Sequence, residues 1–277
     1  MPLELDHRQR AMLQEMGVHV WLPEPHMEPV PVVAQEPIPT PALASTPSSR
    51  APAANVPRAP VAVAAPARPP SEPGTPLDLQ ALDWPALAQT AATCQACGLC
   101  AGRQNTTLLA AATPVQADWL VLGDPPDEDE DRLGQPFVEQ AGVLLDNMLK
   151  AVGASRTGAG RQGAYLSNVV KCRPPQGRLP QPPELAQCAQ YLQRELALVQ
   201  PKIILAMGRF AAQVLLAEHP EQAGLPLGKQ RGQVYRYCGI PVVVTYHPKV
   251  LLRASADKAK AWADLCLAMD VVEGADV

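Results

Sequence analysis

From residue 77 onward, short apolar runs alternate with longer segments whose apolar residues recur every three or four positions. Trp119–Gly123 (WLVLG), Tyr165–Val170 (YLSNVV) and Lys202–Met207 (KIILAM) are too short for core helices and predict buried strands. Gln233–Tyr237 and Pro241–Thr245 (PVVVT) form a fourth pair of extended runs. Between them, residues 140–152 carry Leu144, Leu145, Met148 and Leu149 on one helical face. Pro183–Val199, a segment after Gly208, and Ala256–Val271 read as further helices. Strands alternating with helices predict a mainly parallel, doubly wound sheet covered on both faces. Such sheets bind ligands at the carboxyl ends of their strands, here the loops after Gly123, Asn168 and Thr245. The loop after Gly123, DPPDEDEDRLGQPF, is strongly acidic, and Glu128 to Asp131 read as a solvated stretch.

The pattern stops upstream. Residues 26–76 are rich in Pro and Ala, with neither helical nor strand periodicity, and hold most of the chain's excess of proline. This composition predicts a disordered linker of polyproline-II character. Residues 1–25 hold a short amphipathic stretch in which Met12, Leu13 and Met16 share a helical face, Gly17 ends the helix, and Val18, Val20 and Trp21 follow. So short a piece cannot bury its own apolar side chains and needs a partner. The expected domains are thus 1–25, a partner-binding peptide; 26–76, a linker; and 77–277, the globular domain.

A net charge of −4 gives no global sign of nucleic-acid binding, but DNA binding needs only a local basic surface. No apolar stretch is long enough to span a bilayer, and the start, MPLELDHRQR, lacks the apolar core of a signal peptide. A cytoplasmic, monomeric protein is expected. Seven cysteines in a reducing compartment point to metal ligation, catalysis or burial before disulfides. Cys94 and Cys97 form a C-x-x-C pair, Cys172 directly follows the second strand, and Cys188 lies on the next helix. Four thiolates from two segments suit a metal centre, Zn or iron–sulfur. Simple burial of Cys172 and Cys188 is the alternative. Cys238 and Cys266 read as buried, and Cys100 could replace Cys97 as a ligand.

The motifs fall in a definite order: C-x-x-C, then Gly123-Asp-Pro-Pro-Asp-Glu-Asp-Glu-Asp, then Gly134-Gln-Pro-Phe-Val-Glu-Gln-Ala-Gly, then Ser167-Asn-Val-Val-Lys-Cys-Arg-Pro-Pro-Gln-Gly-Arg, then Cys188, then Thr245-Tyr-His-Pro-Lys-Val-Leu-Leu-Arg. This series resembles the iron–sulfur, family 4 uracil-DNA glycosylases over roughly residues 90–270. The resemblance implies a three-layer α/β/α fold around a central, mainly parallel four-stranded sheet. It implies a [4Fe–4S] cluster on Cys94, Cys97, Cys172 and Cys188, with Cys100 spare. It also implies removal of uracil from DNA in base excision repair. A base must leave the stack to be excised. By the resemblance Phe137 stacks on the flipped uracil, Asn168 reads its edge with an amide that both donates and accepts, and His247 stabilises charge developing on uracil O2. Asp124 occupies the place of a family Glu that positions water and stabilises the cationic sugar. Lys171, Arg173, Arg178, Arg231, Lys249 and Arg253 are expected to contact DNA phosphates, and Leu251 or Leu252 to act as a wedge or to pack in the core.

Two departures stand out. The usual Gly-Glu-(Ala/Gly)-Pro-Gly loop reads Gly123-Asp124-Pro125-Pro126-Asp127, with a shorter carboxylate, a fixed φ at Pro125 and Asp127 in place of a glycine. Gly177 stands where the family often has Asn. Where the related subgroup that links covalently to uracil carries an insertion with histidine, this chain reads Gly228-Lys-Gln-Arg-Gly, which argues against that chemistry. The segment RQRAMLQEMGVHVWLP is similar to the N-terminal peptide of the psi subunit of the replicative clamp loader, which implies the chi subunit as a partner. A tethered anchor of this kind raises the local concentration of an enzyme at an assembly. Two competing functions stand beside the glycosylase: a catalytically weakened, psi-like clamp-loader or DNA-binding subunit, which the psi-like tail and the altered Asp124 loop favour, and a Zn-binding scaffold, which the family resemblance disfavours.

Overall fold

The computed structural model describes residues 79–108 and 116–274. The readings of residues 1–25 and 26–76 lie outside the described residues. In chain order the elements are α1 (Trp84–Thr93), β1 (Ala117–Gly123), α2 (Glu128–Leu133), α3 (Glu139–Ala151), β2 (Gly160–Asn168), α4 (Pro182–Val199), β3 (Ile203–Met207), α5 (Arg209–Leu215), α6 (Pro220–Ala223), α7 (Leu227–Gln230), β4 (Val234–Tyr237), β5 (Ile240–Thr245), α8 (Pro248–Arg253) and α9 (Lys258–Gly274).

The strands form one sheet of order β2-β1-β3-β5-β4. The first four are parallel, and β4 pairs antiparallel with β5. The expected four parallel strands are therefore present, and the sheet gains a fifth. Gln233–Tyr237 joins the edge as one arm of a hairpin turned by Cys238 and Gly239, both in the left-handed region. Tyr235 and Tyr237 point into the core while Val234 and Arg236 face out, the alternation of a half-buried edge strand.

The period-2 pattern of the central strands builds two cores. Leu120, Leu122, Ile204, Ala206, Val242 and Val244 face one layer, packed by Trp84 and Leu87 of α1, Leu185, Tyr191 and Leu192 of α4, and Ala211 and Leu215 of α5. Trp119, Val121, Ile203, Leu205, Met207 and Val243 face the other, packed by Leu144, Leu145 and Met148 of α3, Leu251 of α8, and Trp262 and Leu265 of α9. The result is the three-layer α/β/α arrangement. With four strands in parallel register, Gly123, Asn168, Met207 and Thr245 end at one edge of the sheet.

The acidic loop departs from its reading. Residues 128–133 are helical, started by a capping box in which the Asp127 carboxylate accepts from Glu130 N–H and the Glu130 carboxylate accepts from Asp127 N–H. Glu130 and Asp131 are buried. Asp131 accepts backbone N–H bonds from Gln104 and Asn105, tying this helix to the chain that follows the cysteines.

Candidate active site and cysteine pocket

Four strand ends bring the predicted residues together. Asn168 ends β2 fully buried, and its amide Nδ2 donates to the carbonyl of Asp124 at 2.9 Å and, weakly, to Glu130 Oε1 at 3.4 Å. Its Oδ1 is buried without a partner among the described residues. A buried acceptor left open costs about 1–3 kcal/mol, a cost that a donor placed against Oδ1 would remove.

Asp124 follows β1. Its Oδ1 accepts from the N–H groups of Phe210 (2.8 Å) and Ala211 (3.3 Å), so the carboxylate leans over the end of β3 onto the first turn of α5. Gly208 makes this possible: a Cβ there would sit 2.3 Å from Asp124 Oδ2, and its φ of +109° suits glycine. Burial raises the Asp124 pKa, and the backbone N–H bonds hold it back.

His247 caps α8. Its Nδ1 accepts from Lys249 N–H at 3.2 Å, which leaves Nε2 as the protonated nitrogen. Burial, then the Lys249 charge, lower its pKa to about 3, against an opposing pull from Asp127. The imidazole is thus neutral, with its tautomer set.

The Phe137 ring lies nearly parallel to His247, with 5.2 Å between centroids. It is fully buried and fills the space over Gly123, where any Cβ would come within 2.5 Å of it. Its backbone is held in the left-handed region (φ 52°), unusual for a bulky residue. Glu130 Oε1 accepts from Phe137 N–H at 2.7 Å, and the Arg156 guanidinium donates to Phe137 O. Local strain of this kind persists only where surrounding contacts enforce it.

Glu130, expected in a solvated stretch, is instead buried and touches Phe137, Asn168 and, at 3.2 Å, Lys249. Its sequence signal was the Asp127-x-x-Glu130 capping-box spacing. Lys249 also bridges to Asp127.

The expected DNA-contacting set divides. Arg173, Lys249 and Arg253 remain at the surface near the strand ends; Arg173 pairs with Glu128 at 3.0 Å, and Arg253 is exposed. Arg178 is bound by two bonds to Glu184 beside Cys97. Two readings need correction. The Lys171 side chain is 2% exposed and paired with Glu195 at 2.7 Å, so it reaches no phosphate. The Arg231 guanidinium is held by Asp264 at 2.7 Å, by the carbonyl of Lys260 and over the Tyr246 ring, a structural clamp on α9. Of the two candidate wedges, Leu251 is 0% exposed and packs in the core, whereas Leu252 is 44% exposed.

Cys94, Cys97, Cys172 and Cys188 line one small cavity with Cys100, Ala91, Lys171, Gln187 and Tyr191. Of the two other cysteines read as buried, Cys266 is partly buried and Cys238 is exposed on the hairpin turn, a correction. Arg103 was not anticipated. Its guanidinium donates to the carbonyls of Ala91 and Cys94 at the end of α1 and to Cys172 Sγ at 3.3 Å. Lys171 N–H donates to Cys188 Sγ at 3.4 Å. Burial pushes the thiols up, Cys172 to about 11 and Cys188 to about 12. Among the described residues no three His, Cys, Asp or Glu side chains are gathered closely enough for one metal ion.

A strand-end site on a 2-1-3-5-4 sheet with an adjoining four-cysteine pocket defines a class, and sequence comparison agrees. A sequence model of the Uracil DNA glycosylase superfamily matches residues 111–266, and the chain belongs to that superfamily. More narrowly, it is 32% identical over 194 residues to the type-4 uracil-DNA glycosylase of Pyrobaculum aerophilum, covering 67% of this chain and 93% of that one. It is 34% identical to the type-4 uracil-DNA glycosylase of Archaeoglobus fulgidus (57% of this chain, 78% of the relative). To that of Thermotoga maritima it is 33% identical (60% and 82%).

Proposed function

We propose that the chain is a uracil-DNA glycosylase that flips uracil from DNA and hydrolyses its N-glycosidic bond in base excision repair. The observation that carries this reading is the pair of complementary groups at the strand ends: the open, buried Oδ1 of Asn168 and the neutral, tautomer-fixed imidazole of His247. Asn168 Oδ1 accepts the uracil N3–H, and the amide hydrogen held only by the long contact to Glu130 serves O4. His247 Nε2–H donates to O2 as the bond between N1 and C1′ breaks and uracil leaves as an anion. A preorganised donor at that oxygen lowers the barrier. Asp124 stabilises the cationic sugar, water adds to C1′, and its proton goes to the departing base. Phe137, locked by Glu130 and Arg156, forms the apolar wall against which the base lies. Arg173, Lys249 and Arg253 hold the backbone, and Leu252 enters the emptied stack.

The cysteines suit a [4Fe–4S] cluster. Cys94, Cys97, Cys172 and Cys188 line one pocket, and four cysteine thiolates are the ligand set such a cluster takes. Through these cysteines, a bound cluster would tie the chain before β1, the loop after β2 and α4 together. Arg103 and the Lys171 N–H donate to the sulfurs, as partners around iron–sulfur ligands do.

Residues 77–277 would then act as the catalytic domain, tethered by the 26–76 linker to a 1–25 peptide for the chi subunit, in the cytoplasm. No described helix is long and apolar enough to cross a membrane. Two assays test these readings. Purified protein acting on a uracil-containing oligonucleotide should yield abasic sites, and none at excess enzyme with iron bound would refute the glycosylase reading in favour of a binding subunit. Failure of chi to bind residues 1–25 in a pull-down would end the second.

A further inference from the structure

Lys171 lies between the two sites and is bound to both. We infer that the buried Lys171–Glu195 pair positions the uracil-reading Asn168 and couples it to the cysteine pocket, an inference that rests on the glycosylase reading above. The Lys171 backbone N–H donates to Cys188 Sγ, and Cys172 is the next residue. Its side chain curls back along β2, where Nζ donates to Asn168 O at 2.9 Å, Ser167 Oγ at 2.5 Å and Glu195 Oε2 at 2.7 Å. Glu195 in turn accepts from Tyr165 OH at 2.8 Å and from Ser167 Oγ at 3.0 Å. Both charges are almost wholly enclosed, at 2% and 1% exposure.

Glu195 and Cys188 are seven residues apart on α4, two turns along the same face. One rigid helix therefore presents a sulfur to the pocket and a carboxylate to the lysine that grips the Asn168 carbonyl. The Asn168 backbone is held from this side, and its side chain from the other by Asp124 O. Its open Oδ1 is thereby presented in one orientation. Stability alone does not account for the pair, since an apolar pair of similar volume between a sheet and a helix is often as stable or more so. Neither residue touches substrate, so both are positioning residues.

The test uses the full chain with iron bound, comparing wild type, Glu195→Gln, and the double variant Lys171→Met with Glu195→Gln. Gln keeps acceptors for Tyr165 and Ser167, and the double variant leaves no unpaired buried charge. Four quantities are read: iron per chain, melting temperature, affinity for free uracil, and rate of uracil excision. In the double variant, free-uracil affinity and excision should fall about 10–100-fold, the scale of outer-partner losses, with iron content near wild type. Unchanged uracil affinity in a folded, iron-loaded variant overturns the inference. So does iron loss in step with activity, which would make the pair a mere support of the cysteine pocket. If the double variant does not fold, Ser167→Ala, which removes one partner of each charge, should still lower uracil affinity several-fold at full iron content; no change overturns the inference. A wild-type protein that neither binds free uracil nor excises it sinks the glycosylase reading and this inference with it, an outcome visible before any variant is made.

Discussion

The cysteine pocket and the strand-end site share one α/β frame but are completed differently. Around the cysteines Arg103 donates to Cys172, Ala91 and Cys94, and the Lys171 N–H to Cys188, while Gln187 Nε2 and Tyr191 OH, which line the same pocket, are buried without a partner among the described residues. At the strand ends an acceptor is left open on Asn168, the half-buried Asp124 carboxylate has its pKa raised by desolvation, and His247 is kept neutral against its usual titration. Both regions therefore keep a buried group without a partner, but at the cysteines the open groups can donate, whereas at Asn168 the open group is an acceptor. The fully enclosed Lys171–Glu195 pair adjoins both regions: the Lys171 N–H reaches Cys188 and its Nζ reaches the Asn168 carbonyl.

The contrast is open to attack in order of expected effect. Cys172→Ala should strike both regions: iron is lost, the melting temperature drops, and excision falls with it. Iron assay beside activity checks this, and retained iron would remove Cys172 from the ligand set. His247→Ala should strike only the strand ends, lowering kcat about 10²–10³-fold, the cost typical of losing one anion-stabilising donor. Single-turnover rates with an unchanged iron content would support that division.

The pH dependence of His247 sharpens the same point. Burial and Lys249 hold its pKa near 3, below the ordinary 6.5 of an exposed imidazole. Between those values the unfolded chain binds a proton that the folded chain does not, so stability rises with pH there. The contribution of His247 to stability is complete above about pH 6.5 and is lost as pH falls toward 3. Wild type should lose stability more steeply than His247→Gln between pH 6.5 and 4 in urea titrations, and kcat should show no acid limb near 6.5 from this residue. The smallest effects belong to the rim. Arg253→Gln should leave iron and kcat intact while reducing the slope of log affinity against log salt by about 0.7–0.9, one phosphate contact. Leu252→Ala should leave stability nearly unchanged, whereas Leu251→Ala in the core should cost about 2–5 kcal/mol by thermal or urea unfolding.

Much of this architecture was legible along the chain. Fully apolar runs such as IILAM can only be central strands in this context, and Leu144, Leu145, Met148 and Leu149 can only share a helix face, because periodicity is a local property of the backbone. Motif order likewise picked out Asn168, His247 and the four cysteines. The fifth strand was visible as an extended run, but its antiparallel place at the edge depends on the hairpin turn at Cys238–Gly239 and on what β5 left unpaired. Charged side chains were the least legible. Lys171 and Lys249 follow Asn168 and His247 at similar distances and looked alike. One is enclosed by Glu195, 24 residues away, while the other stands at the surface bridging Asp127, 122 residues away. Glu130 and Asp131 looked solvated within an acidic run, yet each is buried against groups from other segments. Leu251 and Leu252 are adjacent and chemically identical, and only the way α8 packs on the second core sends one inward and the other out. Apolar patterning acts between near neighbours and can be read there. The role of a charge is set by partners that the folded sheet and helices bring from far along the chain.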